Sequence, residues 1–381
     1  MAKKAYIGVG GVARKAKKIY VGVGSTARKV KKAYIGVGGV ARPCWTGGEL
    51  AYYGTATALS AARHQLAGAS VGNYAVFAGG ATSASASVST VNAYDTSLTR
   101  TNATNMGGSR QRNAGASVGN YALFAGGYGS SSSAYNANVY AYDTSLTRTN
   151  ATSLSAGRYG LAGASVGNYA LFAGGYESGG LSATVDAYDT SLTRSAPEAL
   201  NAASYYFAGG NVGGYAVFAG GGTTTVTAYN ASLTRSAPEA ISSNRYYLAS
   251  ASVGNYALFA GGSSSNSGNM TGASDVYAYN TSLTRTTVTA LSAGRTGLAG
   301  ASLDGYALFA GGATSTTTMS AQPSATVDAY DTSLTRTTAT TLNTARYWLT
   351  SANVGEYAVF AGGTTNGASG ETTVTDAYTV Q

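Results

Sequence analysis

The chain has 381 residues, 44% hydrophobic and 10% charged, and its 53 glycines against 4 prolines suit strands and tight turns. Its single cysteine, Cys44, excludes an intramolecular disulfide framework and a cysteine zinc site, and we expect neither a secretory signal nor a membrane span, since no apolar run has the required length. The formal net charge of +9 is unevenly divided: residues 1–45 hold eleven basic residues and no acidic one, whereas the remainder carries a net charge of −2, which predicts two functional segments.

The first segment, residues 1–45, repeats a 14-residue unit three times: KKAYIGVGGVARKA (3–16), KKIYVGVGSTARKV (17–30) and KKAYIGVGGVARPC (31–44). Each unit has an alternating strand, a Gly-Gly or Gly-Ser turn and a return strand, which predicts a β-hairpin. Three hairpins bury too little apolar surface to fold alone, so we expect another chain or further copies to cover them. The alternative is a solvated arm or a polyanion-binding tail. Nucleic acid is not the expected partner, because phosphate contacts do not require such regular hairpin spacing.

The second segment, residues 46–381, is a longer repeat. The motif YA[LV]FAGG recurs at intervals between 41 and 51 residues, beginning at Tyr74, Tyr121, Tyr169, Tyr215, Tyr256, Tyr306 and Tyr357. This period is typical of radial β arrays. Each unit predicts four strands, exemplified by YGLAGAS (159–165), YALFAGG (169–175), TVDAY (184–188) and TNATSL (149–154). The Asp or Asn of each DTSLTR-like segment predicts an Asx turn, and Pro197 and Pro238 place the fourth strand at a sheet edge.

The two ends of the second segment complement each other. The seventh unit stops at TDAYTVQ without a fourth strand, and YGTATALSAAR (53–63) aligns with the fourth-strand segment RTTATTLNTAR (336–346). The amino-terminal strand is therefore expected to complete the last sheet and to remove two open edges. The predicted fold is all-β: a seven-bladed β-propeller closed by an amino-terminal strand and preceded by a short hairpin arm.

Residues with catalytic or metal-binding chemistry are sparse. His64 is the only histidine, and nothing selects a serine and an aspartate to act with it, so we interpret it as a loop residue. The acidic residues are scattered over the repeats without a unique pair of the glycosidase type. We therefore expect no enzyme activity, no catalytic residue, no metal site and no cofactor, and an enzyme acting on glycans is disfavoured.

Two repeated features could bind a ligand. The first is an arginine in the turn that enters six of the repeats, expected to ring one end of a central channel: Arg63, Arg110, Arg158, Arg245, Arg295 and Arg346. These arginines would suit carboxylate or phosphate groups, or they would satisfy backbone carbonyls of a neighbouring blade, which is the favoured interpretation. The second feature is the variable loop after each double glycine, as in 128–138, 263–275 and 313–326. Its small polar residues and tyrosines suit recognition, and the candidate ligand contacts are Tyr128, Tyr135, Asn266 and Asn269.

The second segment resembles the kelch β-propeller family over residues 50–381. The matching features are the arginine before the first strand, a double glycine after the second strand and a tyrosine in the third strand. The glycine pairs are Gly79–Gly80, Gly126–Gly127, Gly174–Gly175, Gly220–Gly221, Gly261–Gly262, Gly311–Gly312 and Gly362–Gly363, and the tyrosines are Tyr94, Tyr142, Tyr188, Tyr229, Tyr279, Tyr330 and Tyr378. The chain departs from the family where a tryptophan is expected: Thr101, Thr149, Ser195, Ser236, Thr286 and Thr337 occupy those positions. The fold implies no function by itself.

The tandem KKAYIGVGGVAR repeats of residues 1–45 resemble the leading segments of tail and baseplate-associated structural proteins from phages and prophages of Gram-positive bacteria. The resemblance implies an attachment module, with virion-anchoring residues Lys3, Lys4, Tyr6, Lys17, Lys18, Tyr20, Lys31, Lys32 and Tyr34. We expect a non-enzymatic virion protein, assembled in the bacterial cytoplasm, homo-oligomeric in the particle and bound to other tail or baseplate proteins through the arm. Its propeller loops would bind a host cell-wall glycan or surface protein. The alternative is a purely structural decoration or baseplate spacer that binds only virion proteins.

Overall fold

The structure, a computed structural model, describes six strands between Tyr6 and Trp45 and then residues 48–381, except 130–134 and 317–320. The described residues confirm an all-β chain, since their only helical element is the short 3₁₀ turn Gly367–Ser369. Strands elsewhere are short and joined by tight turns, as the glycine-rich composition predicts.

The arm contains three antiparallel two-stranded sheets, which confirms the predicted hairpins. The first pairs Tyr6–Val9 with Val12–Lys15, the second pairs Tyr20–Val23 with Thr26–Lys29, and the third pairs Ala33–Val37 with Val40–Trp45. Of the predicted anchoring residues, Tyr6, Tyr20 and Tyr34 lie in the leading strands of these hairpins. Six others lie outside the described residues: Lys3, Lys4, Lys17, Lys18, Lys31 and Lys32. Their anchoring role stays a prediction.

Seven four-stranded antiparallel sheets, numbered 1 to 7 by the chain order of their first strands, occupy the described part of residues 48–381. The first strands are Ala67–Val71, Ala114–Val118, Ala162–Val166, Phe207–Val212, Ala249–Val253, Ala299–Leu303 and Thr350–Val354. The second strands are Tyr74–Ala78, Tyr121–Ala125, Tyr169–Ala173, Tyr215–Gly220, Tyr256–Ala260, Tyr306–Ala310 and Tyr357–Ala361. The third strands are Val91–Tyr94, Val139–Asp143, Val185–Tyr188, Val226–Asn230, Val276–Asn280, Val327–Asp331 and Thr375–Val380. The fourth strands are Arg100–Ala103, Arg148–Ala151, Arg194–Ser195, Arg235–Ser236, Arg285–Thr287, Arg336–Ala339 and, for sheet 7, Leu50–Thr55.

The loops after the double glycines carry short strands of their own. Tyr176–Glu177 pairs with Gly180–Leu181 within one loop. The two longest loops are joined, because Met270–Thr271 of one pairs with Ala313–Thr316 of the other, which in turn pairs with Ala321–Pro323. The loops 263–275 and 313–326, which the sequence treats as separate recognition candidates, therefore form one unit.

Sheet 7 joins the two ends of the second segment. Leu50–Thr55 runs antiparallel to Thr375–Val380, and backbone hydrogen bonds of 2.7 and 3.0 Å link Glu49 and Gln381 just outside the pair. The Tyr52 hydroxyl donates to Asp376 at 2.6 Å. This pairing confirms that the amino-terminal strand completes the last sheet.

The fourth strand lies at a sheet edge, as predicted, but its prolines lie beyond it. In sheets 3 and 4 this strand is only two residues long, Arg194–Ser195 and Arg235–Ser236, and it ends before Pro197 and Pro238. Proline has no N–H with which to extend the ladder, so the pairing stops there. The prediction that Pro197 and Pro238 lie within the fourth strand is therefore wrong, since both follow it.

The first strands pack against one another with almost no space between backbones. Each contacts the first strand of the next sheet, and that of sheet 7 contacts that of sheet 1. A Cβ on Gly115 would lie 2.3 Å from the carbonyl oxygen of Gly68, which no side chain could tolerate without movement of the backbone. Serine hydroxyls tie the same strands together, as where Ser117 Oγ donates to the Ser70 carbonyl at 2.7 Å. This arrangement fits a β-propeller-like repeat.

A tyrosine in every third strand links neighbouring sheets. Its ring is fully buried and packs edge-on against the phenylalanine of the second strand, as in Phe124 and Tyr142, whose ring centroids are 5.9 Å apart. In sheets 2 to 7 its hydroxyl donates to a carbonyl just after the fourth strand of the preceding sheet, for example from Tyr142 to Thr104 at 2.7 Å. The hydroxyl therefore has a partner despite burial.

The amino-terminal strand should matter more to stability than the arm. A chain beginning at residue 46 should unfold close to the full chain, whereas one beginning at residue 60 should lose roughly 3 kcal/mol or more. The second truncation removes the buried Leu59, which contributes about 1.5 kcal/mol or more, and the partly buried Leu50 and Tyr52, which together contribute about as much again. Denaturant unfolding of the three chains measures this difference. Equal stabilities for the two truncated chains would contradict the role of the strand.

Candidate functional site

Two loops of each repeat meet at the same end of its sheet. The first strand begins and the second strand ends there, and isolated bridges join the flanking loops, as between His64 and Ala81 or Tyr159 and Tyr176. The double glycine makes this turn possible: Gly79 and Gly80 have φ of +71° and +106°, a region that favours glycine. The loop that enters the repeat and the variable loop therefore lie at the same end of the sheet.

A closed circuit of backbone hydrogen bonds connects the seven repeats at this end. One residue just before each first strand donates its N–H to the carbonyl of the equivalent residue in the preceding repeat, at 2.7–3.0 Å, and the last bond returns to the first repeat. We call these seven residues the amide ring: Gln65, Arg112, Gly160, Tyr206, Tyr247, Gly297 and Trp348. All seven have φ between +53° and +65°.

Five of the seven ring residues carry large side chains although the backbone favours glycine. A non-glycine residue in this left-handed region costs about 1 kcal/mol or more. The turn leucines, such as Leu98 at φ +61°, show that strain alone need not mean function. However, the turn residue is leucine in all six DTSLTR-like segments, whereas the ring position differs between repeats that are otherwise nearly identical. Retaining varied, strained side chains is the pattern expected where side chains are selected for contacts with a ligand.

The seven residues of the amide ring contribute to the lining of a pocket of about 240 Å³, which we call the ring pocket. Two glycines make room for its aromatic walls. A Cβ on Gly160 would lie 3.0 Å from the Tyr206 ring, and one on Gly297 would lie 2.8 Å from the Trp348 ring. Tyr206 also stacks on Tyr247, with centroids 4.5 Å apart. The glycines thus let these aromatic rings lie over the backbone.

Arg112 is the cation of the ring pocket. Its Nε donates to Gln65 Oε1 at 3.0 Å, and its guanidinium carbon lies 5.5 Å from the centroid of Tyr206 and 5.7 Å from that of Tyr159. Cation–π contacts of this kind hold a guanidinium in place without neutralising it. In the described part of the chain, no carboxylate forms an ion pair with Arg112.

An aromatic surface continues outward from the ring pocket. It consists of Tyr128, Tyr135, Tyr159, Tyr176, Tyr205 and Tyr246, whose neighbouring rings have centroids 5.4–6.5 Å apart. Two candidates from the sequence, Tyr128 and Tyr135, therefore lie in this surface. A third, Asn266, hydrogen-bonds to Tyr205 and accepts from Tyr247 at 3.2 Å. Asn269 is exposed in the joined loops.

Sequence reasoning did not single out the amide ring. The available signal was the one variable position in front of the repeated first strand, where the chain reads Gln, Arg, Gly, Tyr, Tyr, Gly and Trp in turn. Its importance depends on a backbone conformation and a hydrogen-bond circuit that become visible only when all seven repeats are in place.

The six predicted arginines lie beneath this face rather than in the pocket lining. Five are fully buried: Arg63, Arg110, Arg158, Arg295 and Arg346. Arg158 is representative, with Nη2 at 2.6 Å from Asp186 and 3.3 Å from the Phe172 carbonyl. Arg245 is slightly exposed and pairs with Asp275 in the adjoining loop. These contacts support a structural role, but the predicted partner was wrong: the carbonyls belong to the arginine's own sheet and not to a neighbouring blade. Ligand binding by these arginines stays a prediction.

The fourth repeat provides an internal comparison for this arginine. Ser204 replaces the arginine there, and Thr227 stands where Asp186 stands in the third repeat. Both members of the ion pair are thus replaced by neutral residues together, which leaves no unpaired buried charge. This joint replacement is expected if the arginine serves to satisfy its own sheet.

His64 forms part of the wall behind Trp348. The two rings stack with centroids 5.4 Å apart, and Nδ1 lies 3.3 Å from Glu371 Oε1. Burial, with a smaller contribution from the charge of Arg112, lowers the pKa of His64 to about 4. The imidazole is therefore neutral near pH 7, and its contact with Glu371 is not an ion pair. His64 lies outside the named strands, as its interpretation as a loop residue requires, and its ring packs behind Trp348.

Among the described residues, no three or more His, Cys, Asp and Glu side chains form a group that could hold a metal ion. Within the same residues no helix is long and apolar enough to cross a membrane. A scan against protein-family models and a search of curated proteins found no match to this chain.

Replacing Arg158 and Asp186 together should cost less stability than the two single replacements combined. Arg158→Ser and Asp186→Thr should each destabilise the protein by about 3 kcal/mol, because each leaves a buried charge without its main partner. The double variant reproduces the Ser204 and Thr227 combination of the fourth repeat and should be clearly more stable than the sum of the singles. Urea unfolding of the double-mutant cycle measures this coupling. Additive losses would contradict the structural interpretation.

His64 should make stability depend on pH in a defined window. Its native pKa lies below the unfolded value of about 6.5, so the unfolded chain binds more protons between pH 6.5 and 4 and stability falls as the pH decreases through that range. The loss at pH 5 should be about 2 kcal/mol. Because His64 is the only histidine, His64→Gln should flatten the dependence between pH 6.5 and 5. An unchanged slope in that variant would exclude His64 as the cause.

Proposed function

We propose that the seven sheets are the blades of a closed, kelch-like, seven-bladed β-propeller. Three observations support this: the circular order of contacts between first strands, the strand Leu50–Thr55 in sheet 7, and the return of the amide-ring hydrogen bonds to the first repeat. The central axis would then pass through the ring pocket.

The propeller, in this proposal, is a non-catalytic recognition domain that binds a host cell-surface component at the end bearing the ring pocket. The observation that carries it is the set of varied, strained side chains at the amide ring, in a scaffold where glycine would be the relaxed choice. A concave site with aromatic walls and few polar groups is also a typical ligand site. The aromatic surface and the joined loops extend the area available for contact.

Residues 1–45 are proposed to anchor this domain in a virion, as part of a tail or baseplate. The resemblance of the KKAYIGVGGVAR units to leading segments of phage structural proteins supports this assignment. Hairpins of four to six residues per strand need cover from another surface, which a tail protein or further copies of this chain would provide. The second candidate, a purely structural virion spacer, would use the propeller face for virion proteins instead.

Cell-surface binding should depend on the amide ring, and particle attachment should depend on the arm. A fluorescent full-length chain should bind purified cell walls from some members of a panel of Gram-positive bacteria. Trp348→Gly should weaken this binding at least about tenfold while the protein stays folded, because glycine already occupies the equivalent positions 160 and 297. Sedimentation with the walls measures binding, and thermal unfolding measures folding.

Two matched chains complete this test. Tyr53→Ala removes another exposed aromatic ring, 53% accessible and on the fourth strand of sheet 7, and should leave binding unchanged. The chain 46–381 should still bind walls but should no longer associate with tail components. Absence of wall binding across the panel, together with tail binding by residues 46–381, would favour the spacer.

A further inference from the structure

The ring pocket combines one positive charge with flat apolar walls. Arg112 uses Nε for Gln65, and within the described residues its terminal nitrogens Nη1 and Nη2 have no acceptor. These nitrogens form a planar fork that matches a carboxylate or phosphate. Glu371, which contacts the His64 ring behind Trp348, has a buried side chain and forms no ion pair with the fork. An anionic group would therefore meet an oriented guanidinium that is already partly desolvated.

The walls beside this fork offer aromatic faces rather than further charges. Tyr206, Tyr247 and Trp348 line the pocket, and burial raises the pKa of both tyrosines, so their hydroxyls remain protonated. An aromatic face carries a partial negative charge, which attracts the slightly positive C–H groups on one face of a sugar ring. The Gln65 amide adds a donor suited to a hydroxyl.

We propose that the ring pocket binds an anionic saccharide, with the carboxylate or phosphate on Arg112 and an adjoining sugar ring against the aromatic walls. This inference rests on the proposed function, since it names the chemical class of the cell-surface component. The two anionic groups share one recognition chemistry, and the experiment separates them.

An extended peptide fits this pocket less well. The backbone groups at its floor already bond to each other around the amide ring, so they offer no ladder to a peptide strand. The free sheet edges are the fourth strands, on the opposite side of each sheet from the first strands next to the pocket. Strand addition, which gives peptides much of their affinity, is therefore not available here.

The test uses the full chain and four defined probes in isothermal titration calorimetry: an oligogalacturonate, its carboxyl-reduced counterpart, an oligosaccharide whose sugar units are joined by phosphodiesters, and poly-glutamate. Binding to the first or the third probe is expected, and it identifies carboxylate or phosphate as the anion. Arg112→Gln should weaken that binding roughly ten- to hundredfold. Arg112→Lys should recover only part of it, because lysine keeps the charge but lacks the fork.

Arg148→Gln is the matched control. Arg148 belongs to the same sheet, lies on its outer strand, donates to the Asn105 carbonyl and has no carboxylate partner among the described residues. Its loss should change affinity less than about twofold, which separates a specific contact from a general loss of positive charge. Thermal unfolding of each variant verifies that the fold is intact.

The outcomes separate this inference from the proposed function. Wall binding that survives Arg112→Gln unchanged would overturn the anionic saccharide and leave cell-surface recognition standing. Equal binding of the oligogalacturonate and its reduced form, without binding to the phosphodiester-linked oligosaccharide, would also overturn it, as would Arg112-dependent binding of poly-glutamate alone. Failure to bind any wall or saccharide would overturn both proposals.

Discussion

The close approach of neighbouring first strands is the constraint on which the rest of this structure depends. A methyl group at Gly115 would lie 2.3 Å from the backbone of the preceding repeat, so the strand can hold only very small residues there. With backbones this near, serine hydroxyls reach the carbonyls of the next strand, and the residues just before each strand come within hydrogen-bonding distance of one another. The amide ring is therefore a consequence of the tight packing at the centre, and the ring pocket is a consequence of the amide ring.

The residues that stabilise each repeat and those proposed to bind a ligand occupy different positions of the same repeat. The buried tyrosine of the third strand recurs in all seven repeats. The arginine beneath the pocket face occurs in six repeats and bonds within its own repeat, whether the facing residue of the third strand is an aspartate, as for Arg158 and Asp186, or neutral, as for Arg63 and Asn92. The ring residues face the pocket and differ from repeat to repeat without a compensating change in the scaffold. Duplication of a unit of this kind supplies a uniform framework, and substitution at one position that lines the pocket supplies chemical diversity.

Much of the fold could be predicted from the sequence because the same pattern of strands and turns recurs in seven repeats. The strand order, the Asx turns at Asp95 and its equivalents, the arm hairpins and the pairing of Leu50–Thr55 with the carboxyl-terminal strand all follow from local patterns, and the structure bears them out. The site could not be predicted in the same way. The arginine that recurs in six repeats was a candidate ligand contact, but a residue that recurs at the same place in every sheet is more typical of a structural role. The functional candidates are the residues that fail to recur, and their common left-handed conformation is not encoded in any short motif.

The closed circuit of amide hydrogen bonds also constrains how specificity can change. Each ring residue uses its own N–H and carbonyl for its two neighbours, so replacing one side chain leaves the backbone pattern intact. The side chains are nevertheless coupled in pairs, because Tyr206 and Trp348 occupy the space that a Cβ at Gly160 or Gly297 would need. A glycine at one ring position thus provides the space for the aromatic side chain at the next ring position. A change in ligand specificity should therefore require substitutions at two adjacent ring positions together: the small residue and the large residue that covers it. The seven sheets beneath would stay unchanged.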